Sequence, residues 1–368
     1  MRMPTEKAHG IQIMKMCEAF VREGMEVELV VPRRFNSIKE NPFEYYGVEK
    51  SFKITKIPSL DLVKFGKIGF LIQSFSFAKC VLLYLLFKKA DIIYSRDELP
   101  LFWLSFFKNN LFWEIHDRRL NFITKRCLKK CQKIICITYG LKDIYVKNEV
   151  SPDKILVAPD GVDLKEFDIK ISKKEVREKF GLPLDKKIIL YTGHLYEWKG
   201  AQVLAEASGY LDSDCLAVFI GGTEKDIKIF NSQFSNSKNI LVVGRRSHQE
   251  IPLWLKAADV LVLPNSAKEK ISELYTSPLK LFEYMASGRP IVASDLPSIR
   301  EVLNENNSVL VKPNNPVSLV DGIKKVLQNK ELADKISNQS FSDVRDYTWK
   351  KRAERILKYS LTLTLGRK

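Results

Sequence analysis

The sequence predicts an α/β protein of two doubly wound domains with parallel sheets. Three observations carry this. Short apolar runs of strand length alternate with stretches of helical period. The alternation restarts after about residue 170. The chain has 368 residues, of which 45% are hydrophobic, enough for two cores of ordinary size.

In order, His9–Gly24 has helical spacing, and Glu26–Pro32 is a strand that stops at proline. Asp91–Tyr94, Leu111–Ile115 and Lys133–Ile137 are further strands, the last followed by a helix over Leu141–Asn148. Lys154–Val157 precedes the turn Pro159-Asp160-Gly161. In the second half, Lys186–Thr192, Cys215–Ile220, Ile240–Val243 and Val260–Pro264 read as strands, the first three closed by glycines. Ala201–Tyr210 and Ile251–Ala258 read as helices between them, and Val317–Leu327 and Tyr347–Leu361 as later ones. Parallel sheets of this kind bind ligands at the carboxyl ends of their strands.

The most informative run is Ser277–Pro290. Ser277 suits an N-cap and Pro278 the first helical position. The N–H groups from Leu279 and Lys280 onward would then face an anion. Glu283 shares their helical face, placed to meet a hydroxyl-bearing ring attached to phosphates. Gly288 ends the helix, and Pro290–Ser294 reads as a buried strand. A capped amphipathic helix before a strand is also ordinary α/β scaffold. Gly193–Gly200 resembles a phosphate loop, with glycines for close backbone approach and Lys199 as the cation; a turn with a solvated lysine fits equally. Its spacing is not that of a Walker loop.

Of four histidines, His116 and His194 follow apolar strands or their closing glycine, His9 precedes a helix, and His248 reads as surface. Cys127, Cys131 and Cys136 match no zinc spacing and read as buried thiols. No catalytic triad, zinc motif or dinucleotide fingerprint is present.

The net charge is +16, with Lys and Arg spread along the chain. This favours anionic partners. No basic motif interleaved with aromatics is present, so no nucleic-acid partner is expected. Ile68–Phe87 is strongly apolar but carries Gln73, Ser74, Ser76 and Lys79, which suits a buried or membrane-surface helix better than a span. With Leu99–Trp113 it could form a peripheral face on acidic membrane. No signal-peptide pattern opens the chain, which sets the expectation of a cytoplasmic protein, or one at the inner membrane face.

Pro159-Asp160-Gly161-Val162-Asp163, Gly193–Gly200, Ala257-Ala258-Asp259-Val260 and Ser277–Asp295 occur in the order and spacing seen in retaining glycosyltransferases of family 4, which the chain resembles from about residue 5 to 360. The resemblance implies the GT-B fold: two Rossmann-like domains facing a cleft. It implies an acceptor-side domain over 1–168, a nucleotide-sugar domain over 169–345, and a C-terminal helix over 346–368 that packs back toward the first. The donor would be a UDP- or GDP-linked sugar, bound without a metal or other cofactor. Lys199 would contact the diphosphate, with Gly193 and His194 beside it. Thr276, Ser277, Leu279 and Lys280 would wrap the phosphates, and Glu283 would hold the ribose. His116 would face the donor sugar. His9-Gly10 would belong to a loop closing over donor and acceptor, the latter a glycan or lipid-linked hydroxyl.

Three departures stand out. Tyr275 occupies the first of two glutamate positions usual in the family, with Glu273 two residues earlier. His194 replaces an arginine. The chain opens at Met1-Arg2-Met3-Pro4-Thr5, where the family has completed a first strand, so the N-terminal sheet is expected to lack it. These departures support one other reading, an inactive or accessory GT-B protein; a GT-B nucleotide-sugar epimerase is a further alternative within the same resemblance.

Overall fold

A computed structural model describes residues 3–234 and 237–361. Met1, Arg2 and the last seven residues of the expected C-terminal helix lie outside them. The chain divides into two compact units. One runs to Pro159 and is joined by the helix Trp349–Leu361; the other is Asp160–Thr348.

The first unit holds β1 (Glu28–Pro32), β2 (Lys53–Ile57), β3 (Ile93–Ser95), β4 (Leu111–Ile115), β5 (Lys133–Cys136) and β6 (Ile155–Val157). All pairings are parallel, but they form two sheets, β1-β2 and β3-β4-β5-β6. Among the described residues no ladder joins them. β4 and β5 are buried along their whole length, as strands covered on both faces must be. The Trp349–Leu361 helix packs on the helix Ala8–Arg22.

The second unit holds β7 (Lys187–Thr192), β8 (Cys215–Ile220), β9 (Ile240–Gly244), β10 (Val260–Leu263), β11 (Ile291–Ser294) and β12 (Val309–Val311) in one parallel sheet. The order is β12-β11-β10-β7-β8-β9. Strand order therefore reverses between β7 and β10, where a doubly wound sheet opens its ligand crevice. Alternation sorts the side chains into two cores. Ile188, Leu190, Val218 and Leu261 join one cluster, and Ile189, Tyr191, Phe219 and Val262 the other. A parallel bridge between Val162 and Thr348 ties the two ends of the unit together.

The expectation that Leu99–Trp113 forms a surface face is corrected here. Leu101, Phe102 and Leu104 of the helix Glu98–Leu104 are buried, as is all of β4; Phe106 and Phe107 between them stay exposed. Ile68–Phe87 falls in the helix Gly66–Leu86, which buries one stripe only. Cys127, Cys131, Cys136 and Cys215 are buried free thiols, and Cys17 and Cys80 are partly buried.

Candidate functional site

Two constellations emerge, one in each unit. In Asp160–Thr348 the site gathers at the β7–β10 crevice. The chain leaves β7 through Gly193, whose φ of 125° is open to glycine and closed to most residues. A Cβ there would stand 2.7 Å from the Lys280 ammonium, so the missing side chain makes room for that lysine. The Tyr284 hydroxyl accepts from the Thr192 N–H at 2.8 Å and pairs with the Thr192 hydroxyl at 3.2 Å, bracing the helix Leu279–Ala286 against the end of β7.

Lys280 is buried at 8% exposure, with its Nζ 3.8 Å from the centroid of the Tyr191 ring. Among the described residues no acceptor reaches that ammonium. Burial, then the charge of Lys199, holds its pKa well below 10.5. Burial alone pushes Lys199 down to about 8. The Lys199 Nζ lies 3.9 Å from the centroid of the Trp198 ring. The charge of Lys199 thus reaches Lys280 and opposes its protonation. An unpaired buried cation is costly, and an anion between the two would remove that cost.

The helix start differs from the sequence reading. Pro278 occupies the N-cap position, and Ser277 does not cap the helix. Its hydroxyl instead accepts the Asp160 N–H at 3.0 Å, pinning the Pro159-Asp160-Gly161 turn. Leu281 N–H is taken by the Pro278 carbonyl at 2.9 Å, so Leu279 and Lys280 head the helix. Thr276 is buried and extended just before it. Gly288 follows the helix at φ 63°, as a C′ glycine should.

Glu283 is buried, and His248 is not the surface residue the sequence suggested. Its Nε2 lies 2.9 Å from Glu283 Oε1, and its Nδ1 4.0 Å from Glu166 Oε2. Nothing in the local polar pattern Ser247-His248-Gln249-Glu250 signals that partnership, which joins positions 35 residues apart. The His194 ring stacks parallel on Tyr196 with centroids 4.7 Å apart, and its carbonyl accepts from the Tyr191 hydroxyl at 2.6 Å. Tyr275 is buried in the π-helical turn Ile271–Tyr275.

The second constellation lies in the first unit and centres on Glu114, a residue absent from the sequence reading. Its carboxylate is fully buried on β4. It contacts His116 Nε2 and the Tyr94 hydroxyl, accepts from Gln12 Nε2 at 2.7 Å, and meets Arg352 of the C-terminal helix at 3.2 Å. Arg96 donates to Gln12 Oε1 at 2.6 Å. Burial raises the Glu114 pKa, but Arg352, His116 and Arg96 outweigh it and hold the group well below 4.5. Arg352 also donates to the Pro159 carbonyl at 2.9 Å. His116 is thereby anchored at the carboxyl end of β4.

His9 and Gly10 sit in the first turn of the helix Ala8–Arg22, not in a loop. A Cβ on Gly10 would collide with the Tyr46 hydroxyl, which donates to the Thr5 carbonyl at 2.8 Å. Gly10 is therefore demanded by packing. Burial, then Arg96, lowers the His9 pKa to about 4.

The comparisons with known proteins agree with this architecture. The structure superposes on sucrose-phosphate synthase of Thermosynechococcus elongatus with a TM-score of 0.79 at 18% identity, covering 98% of this chain and 94% of that one. It superposes on Anabaena HepE in complex with UDP-glucose with a TM-score of 0.76 at 14% identity, covering 99% and 98%. Both likenesses speak to the fold. In sequence, it is 30% identical over 239 residues to the Escherichia coli UDP-Gal:alpha-D-GlcNAc-diphosphoundecaprenol alpha-1,3-galactosyltransferase, covering 62% of this chain and 59% of that enzyme. The chain spans about half to three fifths of the length of the curated relatives it matches. Residues 10–166 match Glycosyltransferase Family 4 and residues 172–343 match Glycosyl transferases group 1. With nearly the whole chain covered by these two matches, it belongs to the GT-B glycosyltransferases, pairing a family 4 N-terminal part with a group 1 C-terminal part.

Proposed function

We propose that the chain transfers a sugar from a nucleotide-diphosphate donor to a hydroxyl acceptor, with retention at the anomeric carbon. The observation that carries this reading is the Lys280 ammonium, buried without an acceptor and facing the charge of Lys199 at the β7–β10 crevice. A diphosphate supplies the missing negative charge. Lys199, Lys280 and the start of the Leu279–Ala286 helix would stabilise it as it leaves, so no metal is called on for that step. Glu283, oriented by His248, would accept from the ribose hydroxyls. His116 would position the sugar. No carboxylate stands ready as a nucleophile in this scheme, so the acceptor hydroxyl attacks the same face of a sugar–diphosphate ion pair, and its proton passes to the departing phosphate oxygen.

The uridine donors named for HepE and for the Escherichia coli enzyme favour UDP over GDP, and the diphosphoundecaprenol acceptor of the latter favours a lipid-linked acceptor. The test is transfer by the purified protein with UDP- and GDP-sugars, alongside calorimetry with UDP and GDP. A Lys199→Ala, Glu283→Ala double variant should lose donor binding and transfer; undiminished transfer would sink the site assignment. The buried Tyr275 in place of a sugar-facing glutamate favours one other reading, an accessory protein without transfer activity. Absence of binding to either nucleotide would select it.

A further inference from the structure

The Gly66–Leu86 helix is apolar on two faces. Its inward stripe, Gly69, Gln73, Phe77, Val81 and Leu85, includes a glutamine at only 3% exposure. Its outward stripe, Ile68, Leu71, Ile72, Phe75 and Leu83, follows the same helical period and is 39% to 73% exposed. Lys79 is the one charge on that stripe. A helix of a globular protein normally turns its polar face to water, and one apolar on both sides has an apolar neighbour on both. The inward neighbours are the helix Glu98–Leu104 and β2. Because one whole stripe is committed to them, the helix does not read as a span. Its outward neighbour is missing from the described residues.

Charge identifies that neighbour. No Asp or Glu occurs between Asp61 and Asp91, while Lys64, Lys67, Lys79 and Lys89 are exposed along or beside the helix. The segment Asp160–Thr348 has 26 basic and 26 acidic residues, so the entire net charge of +16 lies on the part of the chain that carries this helix. A second copy placed on the same face would bring these lysines against each other, a juxtaposition that costs affinity. We propose that this face docks the chain on a bilayer bearing anionic headgroups, with the helix in the plane of the interface. The apolar stripe enters the headgroup–acyl boundary and Lys79 snorkels from it. Each lysine near an anionic surface adds on the order of 1 kcal/mol.

The test is co-sedimentation of the full chain with vesicles of phosphatidylcholine alone and of equimolar phosphatidylcholine and phosphatidylglycerol. The variants are the double change Ile72→Glu, Phe75→Glu and, as control, Ile229→Glu, an exposed apolar residue of the neutral unit. Wild type and control should bind the anionic vesicles at least about tenfold more tightly than the neutral ones, and the double variant should lose about tenfold or more of that affinity. All three are surface changes, and unchanged melting temperatures check that each is folded. Failure of wild type to bind the anionic vesicles overturns the assignment, as does equal binding by the double variant. A dimer in sedimentation velocity that the double change dissolves would assign the face to a second copy and overturn it too. UDP and GDP calorimetry on the same variants keeps the two questions apart, since the donor residues lie in Asp160–Thr348.

Discussion

Lys280 is where stability and function oppose each other. A buried ammonium without an acceptor destabilises the unliganded protein, so Lys280→Met, close in volume, should raise its melting temperature while lowering UDP or GDP affinity at least about tenfold, or about 1.4 kcal/mol. Thermal scans with and without nucleotide check both halves. The lysines also set a pH dependence. Lys199 is at about 8 in the folded protein against 10.5 unperturbed, so between these values the unfolded chain holds more protons. Unliganded stability should therefore rise with pH across that window, and Lys199→Met should flatten the rise. A bound diphosphate restores both ammonium groups, so binding near pH 8.5 should take up protons. Calorimetry in two buffers of different ionisation enthalpy reads that uptake, and Lys280→Met should diminish it. His248 acts one step back. His248→Ala frees the Glu283 carboxylate from its 2.9 Å contact and should weaken nucleotide binding by up to about tenfold, leaving inorganic pyrophosphate binding unchanged. Equal loss for both ligands would place His248 on the phosphates instead.

The C-terminal helix Trp349–Leu361 does more than cover a surface, because Arg352 on it neutralises a carboxylate at the centre of β4. Arg352→Met should cost about 3–5 kcal/mol in urea unfolding at neutral pH, since Glu114 stays buried. Adding Glu114→Gln should recover part of the loss. The sign with pH follows from the depressed Glu114 pKa: its stabilisation is complete above about 4.5 and is lost as pH falls through the lower folded value. In Arg352→Met that folded value rises, so acid unfolding, followed by circular dichroism, should begin at higher pH. Neither Glu114 nor Arg352 is conspicuous in sequence. The first sits inside an apolar strand and the second on a basic helix, and only tertiary folding joins them across 238 positions. The strands themselves were readable where both faces are buried. Leu111–Ile115 and Cys215–Ile220 fall where their apolar runs predict. β2, with Lys53, Thr55 and Lys56 in five residues, and the three-residue β12 carry too weak a pattern. The polar helix Lys330–Asp343 was missed for the same reason. Ser277 misled because an N-cap serine and a serine bonded to a distant turn look alike in one dimension.

Charge is partitioned as sharply as structure. Basic residues are spread along the chain, as the sequence reading had it, but acidic residues match them one for one in Asp160–Thr348 and fall short elsewhere. Two kinds of anion recognition should then respond differently to salt. In the β7–β10 crevice, the donor meets the buried Lys280 and the partly buried Lys199 within a neutral unit, and charges at such short range in a low-dielectric site are screened little. On the Gly66–Leu86 face, exposed lysines act with a surplus of +16 on an extended surface, which salt screens within about 10 Å at 0.1 M. Raising ionic strength from about 0.05 M to 0.5 M shortens that range severalfold. UDP or GDP affinity by calorimetry should fall by no more than about threefold over this range, and binding to anionic vesicles by more than about tenfold. If nucleotide affinity fell as steeply as vesicle binding, the diphosphate would be held by the general basic field and not by Lys199 and Lys280. If vesicle binding were insensitive, the apolar stripe alone would account for it, and the excess charge would need another anionic partner.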